Sequence, residues 1–249
     1  MSGLIPRLRM IAGPNGSGKT TIKSFVESEI SLMWGIYINP DNIEKQICDI
    51  GYLDFSSFEI TATHTELTEF FQNSALLKNE KLTNLSNNFR YVNGQLSFES
   101  AQINSYYASV IADFIRRKLL KKKISFTFET VMSSRDKIEF LKNAKENGYR
   151  TYLYYVATID PEINIQRIQE RVKKGGHDVP KDKILSRYSR SLDLLWEAIH
   201  QSDRTFIFDN SSHEIKWLAE ITNGKTLEIK SKKIPEWFAN AVINKISSR

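Results

Sequence analysis

The stretch Leu8-Arg-Met-Ile-Ala-Gly-Pro-Asn-Gly-Ser-Gly-Lys-Thr20 decides the fold. Leu8 to Ala12 reads as a buried strand that ends at a glycine-rich turn, and a helix is expected from Lys19 to about Ile30. Between them, Gly13-Pro14-Asn15-Gly16-Ser17-Gly18-Lys19-Thr20 has the spacing G-x-x-x-x-G-K-T. Backbone N–H groups from Asn15 to Lys19 can turn inward around a β-phosphate, at the positive end of the following helix. Gly16 and Gly18 permit the unusual dihedrals and the close approach this needs. Lys19 reaches the β- and γ-phosphates, and the Thr20 hydroxyl is placed to ligate Mg²⁺. Thr21 completes the nucleotide-binding set. A plain helix-start turn does not explain Lys-Thr at the required positions. The expected ligand is ATP or GTP with Mg²⁺, and Asp209-Asn210 does not decide between the two bases.

Outward from this loop, strand and helix signals alternate, which predicts an α/β fold with a largely parallel sheet flanked by helices. Gly35 to Ile38 reads as a strand, with Asp41 as N-cap of a helix over 42–50. Ile124 to Phe128, Thr151 to Val156, Thr205 to Phe208 and Thr226 to Ile229 read as further strands. Helices are expected over 134–147, over 161–172 with Pro161 in the first turn, and over 180–200, with another beginning at Pro235. Residues 52–123 break the alternation. Helices are expected at 58–77 and 102–120, separated by a polar, Asn-rich stretch from Asn79 to Gln95. Phe89, Tyr91 and Phe98 argue against disorder there. The expectation is one P-loop kinase-type domain over 1–249, carrying a helical insertion at 52–123.

The 249 residues are 41% apolar and 26% charged, ordinary values for a globular chain. No run approaches the roughly 18 apolar residues of a membrane helix, and Pro6, Arg7 and Arg9 do not fit a secretory signal. The single Cys48 fits a reducing compartment, so the expected location is the cytoplasm. The net charge of +6 raises nucleic acid as a partner. One basic run, Arg116 to Lys118 with Lys121 to Lys123, reads as the solvated end of a helix. The other basic residues surround a loop and suit a phosphorylated small molecule equally well. Nucleic acid stays open as a partner; a membrane does not.

Two acids stand at strand ends, where α/β folds build their sites. Asp41 follows Tyr37-Ile38-Asn39-Pro40, and Glu129 follows Phe126-Thr127-Phe128. Asp209 reads instead as the start of a turn, Asp209-Asn210-Ser211. On the helix from Pro161, Ile165, Ile168 and Val172 form an apolar stripe, and Arg167 and Arg171 lie off it. They lead into Lys173-Lys174-Gly175-Gly176-His177-Asp178-Val179-Pro180, whose paired glycines suggest a mobile lid over a triphosphate. Arg187 and Arg190 stand on its far side. His177 is expected to hydrogen-bond within the closed loop.

These motifs, with Phe128-Glu-Thr130, Ser133-Ser-Arg135, Arg187-Tyr188 and Arg190-Ser191-Leu192, occur in an order that resembles the zeta-toxin-like kinases. The likeness extends to the branch labelled predicted ABC-type ATPases, although no ABC signature is present. It covers residues 8–50 and 124–215. The resemblance implies a P-loop kinase fold, ATP–Mg²⁺, an antitoxin partner and UDP-N-acetylglucosamine as acceptor. It also implies that Asp41 is the general base, that Lys19 and Thr20 contact phosphate and metal, and that Arg171 is a transition-state cation. Glu129 and Thr130, with Arg167, would then line the substrate site. The insertion falls where the acceptor should bind, so a kinase acting on NAD or a polynucleotide end stays an alternative. A non-enzymatic nucleotide-dependent switch is the third reading.

Overall fold

A computed structural model describes residues 4–30, 34–82, 89–98, 103–176 and 178–247. In chain order the elements begin β1 (Arg7–Ala12), α1 (Lys19–Ile30), β2 (Ile36–Ile38), α2 (Pro40–Ile50) and β3 (Tyr52–Asp54). There follow α3 (His64–Gln72), α4 (Ala75–Asn79), β4 (Phe89–Val92), β5 (Gln95–Phe98), α5 (Ser105–Lys122) and β6 (Phe126–Thr130). The chain continues with α6 (Asp136–Glu146), β7 (Arg150–Ala157), α7 (Pro161–Lys173), α8 (Lys181–His200), β8 (Arg204–Asp209), β9 (Lys216–Thr222) and β10 (Thr226–Ile229). The main sheet has the strand order β10-β9-β8-β7-β1-β6-β2. Among the described residues, no helix is long and apolar enough to cross a membrane.

The chain forms two compact units, Met1–Gly35 with Glu129–Arg249, and Ile36–Phe128. In the first, β1 pairs parallel with β7, and β7 pairs parallel with β8. These strands are buried on both faces; Leu8, Met10, Ile11, Leu153, Tyr155 and Ile207 are all fully covered. Such continuous apolar runs are what a sheet flanked on both sides requires. β9 runs antiparallel to β8 through a bulge at Ile207/Phe208, and β10 is antiparallel to β9. The sheet is therefore mixed at this edge. Lys216–Thr222 had no place among the expected strands.

In the second unit, β2 pairs parallel with β6, while β3, β5 and β4 form a separate antiparallel sheet. The insertion is thus not purely helical. Its hairpin turns at Asn93 (φ 50°) and Gly94 (φ 83°), the paired left-handed residues of a type I′ turn. The single helix expected at 58–77 is two, α3 and α4. Thr63 and Glu66 close a capping box on α3, and Ser74 caps α4. Phe71 meets Phe89 edge-on at 5.1 Å, and Phe98 lies 5.6 Å from Tyr107. This aromatic core gives the segment a burial of its own.

The basic run on α5 is largely engaged within its own unit. Arg116 and Arg117 both grip Asp113 at 2.9 Å, Lys118 meets Glu66 at 2.9 Å, and Lys122 donates to the Glu59 carbonyl at 2.8 Å. Arg116 also lies 4.6 Å over the Phe128 ring.

Candidate functional site

The phosphate loop connects β1 to α1, and its glycines are fixed by packing as well as by dihedral angle. A Cβ on Gly13 would fall 2.0 Å from the Val156 carbonyl oxygen. One on Gly16 would meet the Asn164 backbone at 2.6 Å, and one on Gly18 the Asn210 amide at 2.1 Å. Gly16 and Gly18 also take φ of 74° and 96°, left-handed values. Two asparagines hold the loop from outside: Asn164 Nδ2 donates to the Asn15 carbonyl at 2.6 Å, and Asn210 Nδ2 to the Ser17 carbonyl at 2.8 Å. The Lys19 ammonium donates to the Gly13 and Pro14 carbonyls, each at 3.1 Å, so it already reaches back across the loop.

Thr20, the second residue of α1, donates its hydroxyl to Glu129 Oε1 at 3.4 Å. Glu129 is 6% exposed and lies within β6, not after it as the sequence suggested. The next residue, Thr130, accepts the Gly13 amide on its carbonyl at 3.3 Å. Its hydroxyl accepts the Met132 amide at 3.1 Å. Both Glu129 and Thr130 therefore stand beside the phosphate loop.

Asp209 is consumed structurally. Its carboxylate accepts the Ser211 amide and hydroxyl at 3.1 and 2.9 Å, and the Trp237 indole at 2.8 Å. The neighbouring Asn210 is the residue of that turn that reaches the phosphate loop, through the Ser17 carbonyl.

Asp41 belongs to the second unit, and the cap it was expected to form is made by Asn39. Asn39 has extended backbone and accepts the Asp41 amide on its side chain at 2.9 Å. Pro40 then supplies the first helical residue, where its fixed φ and missing N–H cost nothing. Asp41 is thereby an exposed first-turn acid, one residue inside the helix.

On α7, Ile165 and Ile168 pack with Val179 and Ile184. The expected lid is anchored at both ends. At one end the Gly175 amide donates to the Val172 carbonyl and the Gly176 amide to the Arg171 carbonyl, both at 2.9 Å. With Gly175 at φ 82°, this pair of bonds is a Schellman termination of the helix. At the other end Val179 is buried. A Cβ on Gly176 would also strike Arg171 Cγ at 2.5 Å. The glycine pair thus ends a helix and makes room for an arginine. His177 lies outside the described residues.

The site has hydrogen-bonding capacity to spare. Asn15 Oδ1, Ser17 Oγ and Arg167 Nη1 are buried without a hydrogen-bond partner. Together with a glycine cradle at a helix N-terminus, this fits a polyphosphate. The Thr20 hydroxyl and Glu129 carboxylate are hard oxygen donors of the kind that hold Mg²⁺ directly or through water.

Fold and site together define a P-loop protein built on the kinase pattern. A model of the family described as Zeta toxin matches residues 60–219, well over half of the chain, and the chain belongs to that family. The match begins downstream of the phosphate loop. A relative from Haemophilus influenzae (strain ATCC 51907 / DSM 11121 / KW20 / Rd), described as an uncharacterized protein, is 41% identical over 69 residues. Those residues are 28% of this chain and 49% of the relative, so the match spans about half of that protein's length. A crystal structure of AvrRxo1-ORF1:-ORF2 with ATP superposes with a TM-score of 0.57 at 16% identity, covering 98% of this chain and 64% of that one. A second, of AvrRxo1-ORF1:AvrRxo1-ORF2 with sulphate ions, gives 0.55 at 15% identity, with 92% and 62% covered. At these identities the likeness is one of fold.

Proposed function

We propose that the protein is an ATP- and Mg²⁺-dependent kinase that phosphorylates a hydroxyl of a small-molecule acceptor, with UDP-N-acetylglucosamine as the first candidate. The observation that carries this reading is the preformed phosphate loop with Thr20 against the buried Glu129. ATP supplies the transferable γ-phosphoryl group, and Mg²⁺ offsets its charge. Lys19 binds the β- and γ-phosphates, exchanging its loop carbonyls for phosphate oxygens. Thr20 and Glu129 hold the metal, which gives Glu129 a task at the phosphates and leaves Thr130 and Arg167 as the acceptor-side candidates. Asp41 takes the proton of the acceptor hydroxyl, and Arg171 steadies the charge on the phosphoryl group in flight. The AvrRxo1-ORF1 complex with ATP supports the choice of nucleotide. Family membership supports an antitoxin as protein partner. A polynucleotide acceptor is disfavoured, because Arg116, Arg117 and Lys118 of α5 are paired with Asp113 and Glu66.

The test is incubation with γ-labelled Mg·ATP and, separately, UDP-N-acetylglucosamine, NAD and a 5′-hydroxyl oligonucleotide. Label is expected on the sugar nucleotide and absent with Lys19→Ala. Label on NAD or the oligonucleotide would replace the acceptor. No transfer to any of them, with wild-type nucleotide affinity for Lys19→Ala, would remove the kinase reading.

A further inference from the structure

Asn164 is fully buried at a position where a helix surface usually carries an apolar residue or meets solvent. Its amide is used at both ends. Nδ2 donates to the Asn15 carbonyl of the phosphate loop at 2.6 Å, while Oδ1 accepts the Thr158 hydroxyl in a short hydrogen bond. The Thr158 carbonyl in turn accepts the Tyr188 phenol from α8 at 2.5 Å. Burial pushes that phenol up to about 12, which keeps it a donor at any physiological pH. The Asn164 backbone is also the surface against which Gly16 lies without a Cβ. At this one residue, α7 and the phosphate loop are in backbone contact and joined by a side-chain bond.

Asn164, Arg167 and Arg171 stand at i, i+3 and i+7, one face of a helix. Long side chains on a helix lean toward its N-terminus. Arg167 and Arg171 therefore lean back toward the end that Asn164 holds on the loop. The distance along the axis from Asn164 to Arg171 is about 10 Å, within which an arginine leaning back covers a large part. Only a carboxamide fits here. Aspartate has no donor for the Asn15 carbonyl and would add an anion beside the phosphates; serine is too short to span both partners.

We infer that Asn164 is a positioning residue that sets the register between the phosphate loop and the arginine-bearing helix, so that Arg171 faces the γ-phosphate and Arg167 stands beside it toward the acceptor. This rests on the kinase reading above, and it names the residue that aligns that reading's cations.

The test is titration with Mg·ADP and Mg·ATPγS, alongside turnover. Asn164→Ala is expected to weaken Mg·ATPγS roughly tenfold, the loss of about one charge-assisted hydrogen bond, while leaving Mg·ADP within about twofold. Added to Arg167→Ala/Arg171→Ala, it should cost nothing further. If Asn164→Ala is poorly folded, Thr158→Val removes only the hydroxyl that orients the amide and should show the same preference in smaller degree. Equal losses for both nucleotides, or the same additional loss without the arginines, would reduce Asn164 to a scaffold residue and overturn the inference. If instead the double arginine variant binds Mg·ATPγS and turns over like the wild type, the arginine clamp itself fails. That outcome is separable from a failure of Asn164 alone.

Discussion

The Thr20 hydroxyl points at the Glu129 carboxylate across 3.4 Å, joining the first turn of the helix after the phosphate loop to a strand 109 residues later. This contact is the ground for the role at Mg²⁺ proposed above for Glu129, in place of the acceptor-side role expected from the sequence. Glu129→Gln keeps the shape and one acceptor but loses the charge. The Mg²⁺ concentration needed for half-maximal turnover should rise roughly tenfold, with acceptor KM little changed, as expected for loss of one charged hydrogen bond to a metal-bound water. A rise confined to acceptor KM would return Glu129 to substrate binding.

Lys19 bridges the Gly13 and Pro14 carbonyls at 3.1 Å and is the one loop side chain carrying charge. Lys19→Ala should abolish turnover, and Thr20→Ala should weaken nucleotide binding chiefly when Mg²⁺ is present. Calorimetric titration with and without Mg²⁺ separates the two effects. An active Lys19→Ala variant would dispose of the phosphate-loop reading.

Because Asn39 caps α2, Asp41 can be changed without unfolding the helix start. Asp41→Asn should cut turnover by about 10²–10⁴-fold, the usual range for a general base, while ATP affinity and Tm stay near wild type. Asn39→Ala should do the reverse, costing about 1 kcal/mol of stability. If the stability loss appears in Asp41→Asn instead, Asp41 has a structural role.

The Schellman bonds of Gly175 and Gly176 make a direct statement about exchange. Their amides should exchange slowly even without nucleotide. Gly175→Ala, forced to hold φ 82°, should cost about 1–2 kcal/mol. Arg171→Ala should lower turnover on the order of 10³-fold with a smaller change in ATP affinity, and Arg167→Ala should do less. Fast exchange at both glycines would mean that the end of α7 opens in the absence of nucleotide.

Asp203 ties β7 to β8 by accepting the Thr151 amide at 2.8 Å and pairing with Lys145 at 3.0 Å. Burial alone would raise its carboxyl, but the Thr151 amide and Lys145 outweigh burial and hold it below the ordinary carboxylate value. Its contribution to stability is therefore complete above the unfolded-state value near 4 and is lost as pH falls through the lowered folded value. Asp203→Asn should lower Tm at pH 7, and the difference from wild type should shrink as the pH is taken down through the acid range. A Tm difference independent of pH would assign the loss to packing.

What the sequence by itself determined is the chemistry written in contiguous residues. Gly13 to Thr20 carries its own dihedral demands and its own donors, so phosphate binding was legible without the fold. The Asn93-Gly94 turn was equally local, and the hairpin it makes lies inside the polar, Asn-rich part of an insertion that was expected to be helical. The antiparallel strand β9 carried a weaker signal, since its pairing bulges at Ile207/Phe208 and its alternation is imperfect. What only the tertiary structure decided is which distant polar groups share a buried environment. Nothing around Asn164 marks it in sequence, because asparagine is an ordinary surface residue, and Asn210 was legible only as part of a turn, without its bond to Ser17. They matter because folding buries the Asn15 and Ser17 carbonyls, and each buried carbonyl needs a donor. Glu129 likewise gains its proposed role only through its contact with Thr20. A local conformation is set by the residues that adopt it, whereas a buried hydrogen bond between segments exists only once packing has removed the water that would otherwise satisfy both ends.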